Sequence, residues 1–145
     1  MPASEVVPAL TARFQATPAA LGVVLPAGSL KEAMRALRDV YGYRYYVLGS
    51  CVESESSLEV IHAVRNLDSG DTLFVRVALE LAQPTVDSIT FIYAGAEWQE
   101  REIFDLFGVS FIAHPDLRRL LMPDDYVGHP LRKSFAMDTP WGYRP

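Results

Sequence analysis

The first forty residues carry apolar positions at helical spacing. A first set recurs every four residues and predicts a short helix that Ser4 can cap. A second set, at spacings of three and four, predicts a helix that begins after Ser29, where Ser29 and Glu32 fit a capping box, and that ends at Gly42. Between them, residues 21–25 are typical of a short buried strand. The apolar positions are Val6, Leu10 and Phe14 in the first helix and Leu30, Ala33, Met34, Leu37 and Tyr41 in the second.

From Tyr43 onward the spacing of apolar residues changes to that of strands. Residues 43–52, 58–65 and 72–81 are predicted to be three strands, and polar turns separate them. In the third strand, polar and apolar positions alternate, as in an antiparallel strand with one buried face. The apolar positions are Leu73, Val75, Val77 and Leu79, and the polar ones between and after them are Arg76 and Glu80.

Two helical segments are predicted after the strands. Asp87 or Ser88 can cap the first, which Gly95 interrupts. The second covers residues 97–107 and ends at Gly108.

The charged residues of this last helix are spaced by four. Glu97, Arg101 and Asp105 should therefore form a ladder of ion pairs along one exposed face. The opposite side, which should face the core, carries Ile103, Phe104 and Phe107.

After a brief predicted strand at residues 109–111, the chain loses its periodicity and becomes rich in proline, arginine and aspartate. The sequence therefore predicts an α+β fold over residues 1–112, with a largely antiparallel sheet and helices packed on one face. An irregular, extended C-terminal arm over residues 113–145 should follow it. Proline reduces the entropy that such an arm loses on ordering, and arginine is enriched at the centres of protein interfaces. A docking arm is the leading interpretation, and an arm that wraps around its own chain is the alternative.

Composition narrows the functional classes. The 145 residues fit one domain, and half of them are hydrophobic, enough for a buried core. The formal net charge of −5 disfavours a nucleic-acid-binding surface. The single cysteine, Cys51, cannot form an internal disulfide or hold an iron–sulfur cluster alone, and we expect it to be a buried, inert thiol. No signal peptide and no apolar run of about 20 residues is seen, so we expect membrane contact only through partners.

The most informative stretch is EREIFDLFGVSFIAHPDLRRLLMPDDYVGHPLRK, residues 100–133. It closely resembles the signature of the 30-kDa-type subunit of complex I, called the C subunit in bacteria and the J subunit in the chloroplast and cyanobacterial enzyme. The sequence departs from the family pattern at Ser134, where the family usually has Asp.

The resemblance implies a non-catalytic subunit in the peripheral arm of a proton-translocating NADH (or ferredoxin):quinone oxidoreductase. Such a subunit has no redox centre of its own, and FMN and iron–sulfur clusters, or other cofactors of the electron-donor module, are expected in partner subunits. It docks against the 49-kDa-type subunit that helps form the quinone site, beside neighbouring iron–sulfur subunits. Its place is the cytoplasmic side of the bacterial inner membrane or the stromal or cytoplasmic side of a thylakoid.

The composition of the arm and the resemblance together predict a set of subunit-interface residues. Arg118, Arg119, Arg132 and Lys133 should pair with carboxylates of the partner. The full set is Glu100, Arg101, Glu102, Asp105, His114, Asp116, Arg118, Arg119, His129, Arg132 and Lys133. No catalytic, cofactor-binding or metal-binding residues are expected.

Three other functions stay open. An equivalent subunit of a membrane-bound hydrogenase or formate hydrogenlyase would share the signature. A metal-dependent hydrolase could use the histidines and aspartates of the arm, although their spacing matches no recognised zinc motif. An adaptor unrelated to respiration is the third. The hydrolase candidates are His114, Asp116, Asp124, Asp125 and His129.

Overall fold

A computed structural model of the chain describes residues 1–136. Its helices and strands follow one another as α1 (Ala3–Phe14), β1 (Thr17–Ala19), β2 (Gly22–Leu25), α2 (Leu30–Asp39), β3 (Tyr45–Glu53), β4 (Ser57–Arg65), β5 (Thr72–Glu80), β6 (Thr85–Asp87), α3 (Ala96–Phe107) and β7 (Ser110–Ile112). A turn of 3₁₀ helix, Ala27–Ser29, leads into α2.

The main sheet has five strands in the order β1-β2-β5-β4-β3. Its neighbouring strands are antiparallel except for β2 and β5, which are parallel. Strands β6 and β7 form a separate parallel pair. The predicted α+β fold with a largely antiparallel sheet is confirmed, and the described part of the arm contains neither helix nor strand after β7.

One face of the sheet carries the core. The register of β4 and β5 places Leu58 opposite Leu79 and Val60 opposite Val77, and all four side chains are buried. Helices α1 and α2 bury the apolar positions that their spacing predicted. Periodicity therefore located both N-terminal helices and the three long strands to within a few residues.

The capping box predicted at the start of α2 is not formed. Ser29 has helical dihedral angles, φ −97° and ψ −9°, and its side chain makes no capping hydrogen bond. The residue instead closes the preceding 3₁₀ turn, in which its amide donates to the Pro26 carbonyl at 3.0 Å. A capping side chain requires extended backbone at that residue, and the continuous turn removes it.

The helical segment predicted after Asp87 is wrong, and the short strands β1 and β6 were not predicted. Asp87 ends β6, and the amide of Ser88 donates to the Ile112 carbonyl at 2.9 Å beyond the end of β7. Single turns connect Ser88 to α3. In one of them the amides of Ile92 and Tyr93 both donate to the Ile89 carbonyl. Long-range pairing with β7 therefore overrides the local capping signal at this position.

Helix α3 protects the free edge of the sheet. Strand β3 is an edge strand, and exposed edge amides are sites for unwanted strand pairing. The Gly49 amide donates to the side-chain carbonyl of Gln99 on α3. A Cβ on Gly49 would lie 2.5 Å from the hydroxyl of Tyr46 on the same strand and 3.4 Å from Gln99 Cβ on α3, so the absence of a side chain leaves room for Tyr46. This packing fixes α3 against β3 and sets the position from which its polar side chains reach the arm.

Candidate functional site

The carboxylate of Asp105 on α3 fixes the backbone of the arm. Its side chain is fully buried, and Oδ2 accepts hydrogen bonds from the amides of Leu120, Leu121 and Met122 at 3.1, 2.7 and 2.8 Å. Oδ1 accepts from the Arg119 guanidinium at 2.7 Å. Burial alone would raise the pKa of Asp105, but these hydrogen bonds outweigh it and hold the pKa below its usual value. Asp105 is therefore a buried anion whose ligands all come from the arm.

Arg119 closes the next loop of the arm from inside. Its side chain is 13% exposed, and the guanidinium donates to the carbonyls of Tyr126 and Gly128 at 2.8 and 3.0 Å as well as to Asp105. The guanidinium also lies 5.7 Å from the centre of the Tyr126 ring. One arginine thus provides the donors that a strand ladder would provide elsewhere, because this loop has no regular backbone pairing.

Arg101 likewise binds backbone carbonyls, in the first part of the arm. Its side chain is 5% exposed, and it donates to the carbonyls of Arg118 and Arg119 at 3.2 and 3.1 Å. Its guanidinium lies 4.8 Å from the centre of the Trp98 ring. The predicted surface ladder on α3 is therefore wrong: Arg101 and Asp105 are buried under the arm, and each bonds to the arm instead of to its helical neighbour.

Glu100 joins α3 to the turn after β6. Its fully buried carboxylate accepts from the Ser88 hydroxyl at 2.6 Å and from the Ile89 amide at 2.8 Å. Burial raises the pKa of Glu100 to about 7, against the opposing effect of those two hydrogen bonds. The Ser88 hydroxyl lies 2.9 Å from that of Thr90, so the carboxylate organises the whole turn.

His114 attaches the start of the arm to α3. Its Nδ1 accepts a hydrogen bond from the Asp116 amide at 3.0 Å, so the ring proton is on Nε2. Nε2 donates to the Glu97 carbonyl at 3.1 Å and lies 3.9 Å from Glu100 Oε2. The ring is thus held by backbone groups on both sides, the usual role of a structural histidine in a loop.

His129 packs under the C-terminal end of α3. Its Nδ1 lies 2.9 Å from the Asp105 carbonyl oxygen. Gly108 ends the helix with a left-handed φ of 77°, and a Cβ at this position would lie 2.6 Å from His129 Cδ2. Glycine is required at this position both by the backbone conformation and by the histidine ring.

Arg132 and Lys133 return the arm to the sheet. The Arg132 guanidinium donates to the Leu81 carbonyl at 2.8 Å and lies 3.5 Å from the Glu53 carboxylate. The Lys133 amide donates to Glu53 at 2.6 Å. Glu53 ends β3, so the described arm is bound to the domain at both of its ends.

The predicted interface residues divide into two groups, and their role at an interface stays a prediction. Exposed side chains belong to Glu102, Arg118 and Lys133, and Asp116 is 44% exposed and bonds to Arg118 at 2.9 Å. The internally bonded group is Glu100, Arg101, Asp105, His114, Arg119, His129 and Arg132.

Sequence reasoning missed Glu53, Ser88 and Trp98 as members of this network. Glu53 and Ser88 bond to groups 80 and 12 residues away, a separation that no local pattern reports. The spacing of three between Trp98 and Arg101 on a helix could have indicated their contact. The division of the chain into two parts at residue 112 stays a prediction. In the structure, the described arm is hydrogen-bonded to α3 at several points along its length.

A metal site, Cys51 and His62 are the other candidates for chemistry. Within residues 1–136, no three His, Cys, Asp or Glu side chains lie close enough together to hold a metal ion. Cys51 is buried in β3, and burial raises the pKa of its thiol to about 12. His62 is buried in β4, 2.9 Å from the Tyr46 hydroxyl, and burial lowers its pKa to about 4. No helix described in this part of the chain is long and apolar enough to cross a membrane.

Solved structures that resemble this one include a fragment of Nqo5 and a chain of an archaeal membrane complex. The trypsin-resistant fragment of Nqo5 aligns with a TM-score of 0.67 and 27% identity, covering 79% of this chain and 98% of the fragment. A chain of the membrane-bound sulfane sulfur reductase, an archaeal respiratory membrane complex, aligns with a TM-score of 0.78 and 20% identity, covering 92% of this chain and 85% of that one. The second likeness shows the shared fold alone.

Sequence relatives identify the family. The C subunit of the NADH-quinone oxidoreductase of Moorella thermoacetica is 38% identical over 122 residues, which cover 83% of this chain and 82% of the relative. The corresponding protein of Citrifermentans bemidjiense is 34% identical over 115 residues, 77% of this chain and 71% of the relative. The family model described as respiratory-chain NADH dehydrogenase, 30-kDa subunit, matches residues 23–140. The chain therefore belongs to the 30-kDa subunit family of complex I, as the resemblance at residues 100–133 implied.

Proposed function

We propose that this chain is a non-catalytic peripheral-arm subunit of a proton-translocating NADH (or ferredoxin):quinone oxidoreductase. In this proposal its C-terminal arm docks against the 49-kDa-type quinone-site subunit, beside neighbouring iron–sulfur subunits, and supports assembly and stability of the complex. FMN and the iron–sulfur clusters belong to those partners. The protein lies on the cytoplasmic side of the bacterial inner membrane, or the stromal or cytoplasmic side of a thylakoid, and meets the membrane only through its partners.

The observation that carries the proposal is the fixed backbone of the arm. Three consecutive amides and one guanidinium converge on the buried Asp105 carboxylate, and Arg119 binds two further carbonyls. An irregular segment ordered in this way loses little conformational entropy when a partner covers it. Such an arm is suited to act as a preformed docking element.

The exposed side chains of the arm define how it would meet the partner. Arg118 is 69% exposed and Lys133 is exposed, whereas the guanidinium groups of Arg119 and Arg132 are bonded inside the chain. We therefore assign direct pairing with partner carboxylates to Arg118 and Lys133. Arg119 and Arg132 act by shaping the arm.

Co-purification tests the proposal. A tagged full-length chain is expressed in its native cells, membranes are solubilised in mild detergent, and the co-purifying proteins are identified by mass spectrometry. We expect the 49-kDa-type subunit and iron–sulfur subunits of the peripheral arm. Recovery of the chain alone, as a monomer, would refute the assignment.

A charge-reversal pair tests the role of the arm in the same assay. Arg118→Glu with Lys133→Glu should lower recovery of the partners, since each reversal replaces attraction by repulsion at the interface. The control is Arg65→Glu, an exposed arginine at the end of β4 remote from Glu53. Equal recovery with the double variant and the wild type would show that these cations do not contact the partner.

An equivalent subunit of a membrane-bound hydrogenase or formate hydrogenlyase is the second candidate. This candidate is supported by the fold shared with a chain of the archaeal sulfane sulfur reductase complex, because the same fold then occurs in a respiratory membrane complex of another type. The same purification separates the two. A flavin-bearing NADH module supports the first candidate, and a nickel-containing protein supports the second.

A further inference from the structure

The tip of the arm, residues 121–125, is rigid although it lies at the surface. The amides of Leu121 and Met122 are held by the buried Asp105 carboxylate at 2.7 and 2.8 Å. Pro123 fixes its own φ, and its carbonyl accepts from the Tyr126 amide at 3.0 Å, which closes a turn over the tip. The Tyr126 carbonyl accepts from the Arg119 guanidinium at 2.8 Å, so both ends of the tip are connected to the Asp105 site.

This rigid segment presents an apolar side chain to solvent. The Leu121 side chain is 57% exposed, although the amide of the same residue donates one of the shortest hydrogen bonds to the Asp105 carboxylate, at 2.7 Å. A leucine held outward on a fixed backbone enters an apolar pocket with little further loss of backbone freedom, as an aliphatic interface anchor requires.

The charges beside Leu121 in the tip are negative. Asp124 and Asp125 are exposed, and no salt bridge joins either to another residue within residues 1–136. Of the basic side chains of the arm, Arg119 and Arg132 are bonded inside the protein, whereas Lys133 is exposed. Arg118 is exposed too, bonds to Asp116 at 2.9 Å and interacts electrostatically with Asp124. The tip therefore combines one apolar anchor with an acidic rim that is free of salt bridges in the described chain.

We propose that Leu121 inserts into an apolar pocket of the partner protein that is rimmed by lysine or arginine side chains, which pair with Asp124 and Asp125. The inference rests on the proposed function and adds the chemistry of the partner surface. Charge complementarity decides the occupant. An anionic membrane surface would repel the acidic pair, and a second copy of this chain would bring the same two aspartates and a net charge of −5.

The test uses the full-length chain assembled in its native complex, with partner recovery after detergent purification as the readout. Leu121→Asp should lower recovery at least tenfold. Leu67→Asp is the matched control, because Leu67 is also exposed, at 68%, but lies in the turn between β4 and β5. The thermal midpoints of both isolated variants should stay within about 2 °C of the wild type, since neither side chain is buried.

The acidic rim is tested by a graded series at low salt. Recovery should fall from wild type to Asp124→Asn with Asp125→Asn, and fall further to the double lysine variant. Added salt should weaken the wild-type complex more than the double asparagine variant. Lysine variants that assemble as well as the wild type would overturn the proposal.

Other outcomes would indicate that the tip binds a second copy of the chain or a lipid surface. A wild-type dimer in sedimentation that Leu121→Asp abolishes, or tip-dependent binding to anionic vesicles, would overturn the proposal and assign the tip to self-association or to lipid. Equal loss with Leu67→Asp would show that the effect is not specific to the tip. Failure of the wild-type chain to recover any partner would refute the proposed function itself and is thereby distinguished from a failure of the tip alone.

Discussion

Replacing Asp105 by asparagine should separate the arm from the domain. Asparagine keeps the shape of the side chain but replaces one acceptor oxygen by an NH₂ donor, which then faces either the three arm amides or the Arg119 guanidinium. Asp105 is fully buried and Arg119 is 13% exposed, so the arginine loses its counter-charge in a largely desolvated site. Breaking one side of a buried pair costs about 3–5 kcal/mol.

Thermal unfolding and hydrogen exchange both measure this loss of stability in the Asp105→Asn variant. For a chain of 145 residues, roughly 3 °C of melting temperature corresponds to 1 kcal/mol, so thermal unfolding at pH 7 should occur about 10–15 °C lower. Hydrogen exchange reports the arm separately: the amides of Leu120, Leu121 and Met122 should exchange much faster, while those of β4 change only in step with global stability.

A neighbouring carboxylate provides the control. Glu102→Gln changes an exposed carboxylate three residues earlier on the same helix and should cost under about 0.5 kcal/mol. If Asp105→Asn lost no more stability than Glu102→Gln, or if its three arm amides stayed protected, the Asp105 carboxylate would not hold the arm in solution.

Two further changes test the ends of helix α3. Because the folded-state pKa of Glu100, about 7, lies above the ordinary 4.5, its contribution to stability is complete below pH 4.5 and is lost as pH rises through 7. Glu100→Gln removes this titration, so in denaturant titrations the wild type should lose about 2.5 kcal/mol of unfolding free energy relative to the variant between pH 5 and 8. A difference that stays constant with pH would contradict the raised pKa. Gly108→Ala should lower the free energy of unfolding by about 2–3 kcal/mol, because its φ is positive and a Cβ would clash with His129. The control Gly70→Ala, where φ is 78° and the surrounding space is open, should cost about 1 kcal/mol. Equal losses in the two variants would show that the histidine contact contributes nothing.

The sequence was informative wherever structure is decided by neighbours along the chain. Alternation placed β4 and β5, and spacings of three and four placed α1 and α2, because a buried face imposes those periods on the apolar residues. The start of α2 shows the limit of such signals, since the capping box at Ser29 was replaced by a turn that its composition did not reveal.

Helix α3 shows why the same reasoning failed for the site. The spacing of Arg101 and Asp105 correctly placed both side chains on one face of the helix, but spacing does not report what covers a face. The covering groups are the carbonyl of Arg118 and the amides of residues 120–122, at sequence separations of 15 to 17. A charged stripe that would be a surface ladder on an isolated helix is here the inner layer of the structure.

The arm shows that a charge-rich irregular segment can be rich in arginine for an internal reason. A segment without strand or helix leaves carbonyl groups without backbone donors, and Arg119 satisfies the carbonyls of Tyr126 and Gly128 while Arg132 satisfies that of Leu81. Arg119 and Arg132, two of the arginines that suggested an interface, thus have an internal role in the arm, whether or not a partner is bound. Information about the partner must come from what the folded arm leaves outside, which includes the exposed Arg118 and Lys133 and the acidic tip around Leu121.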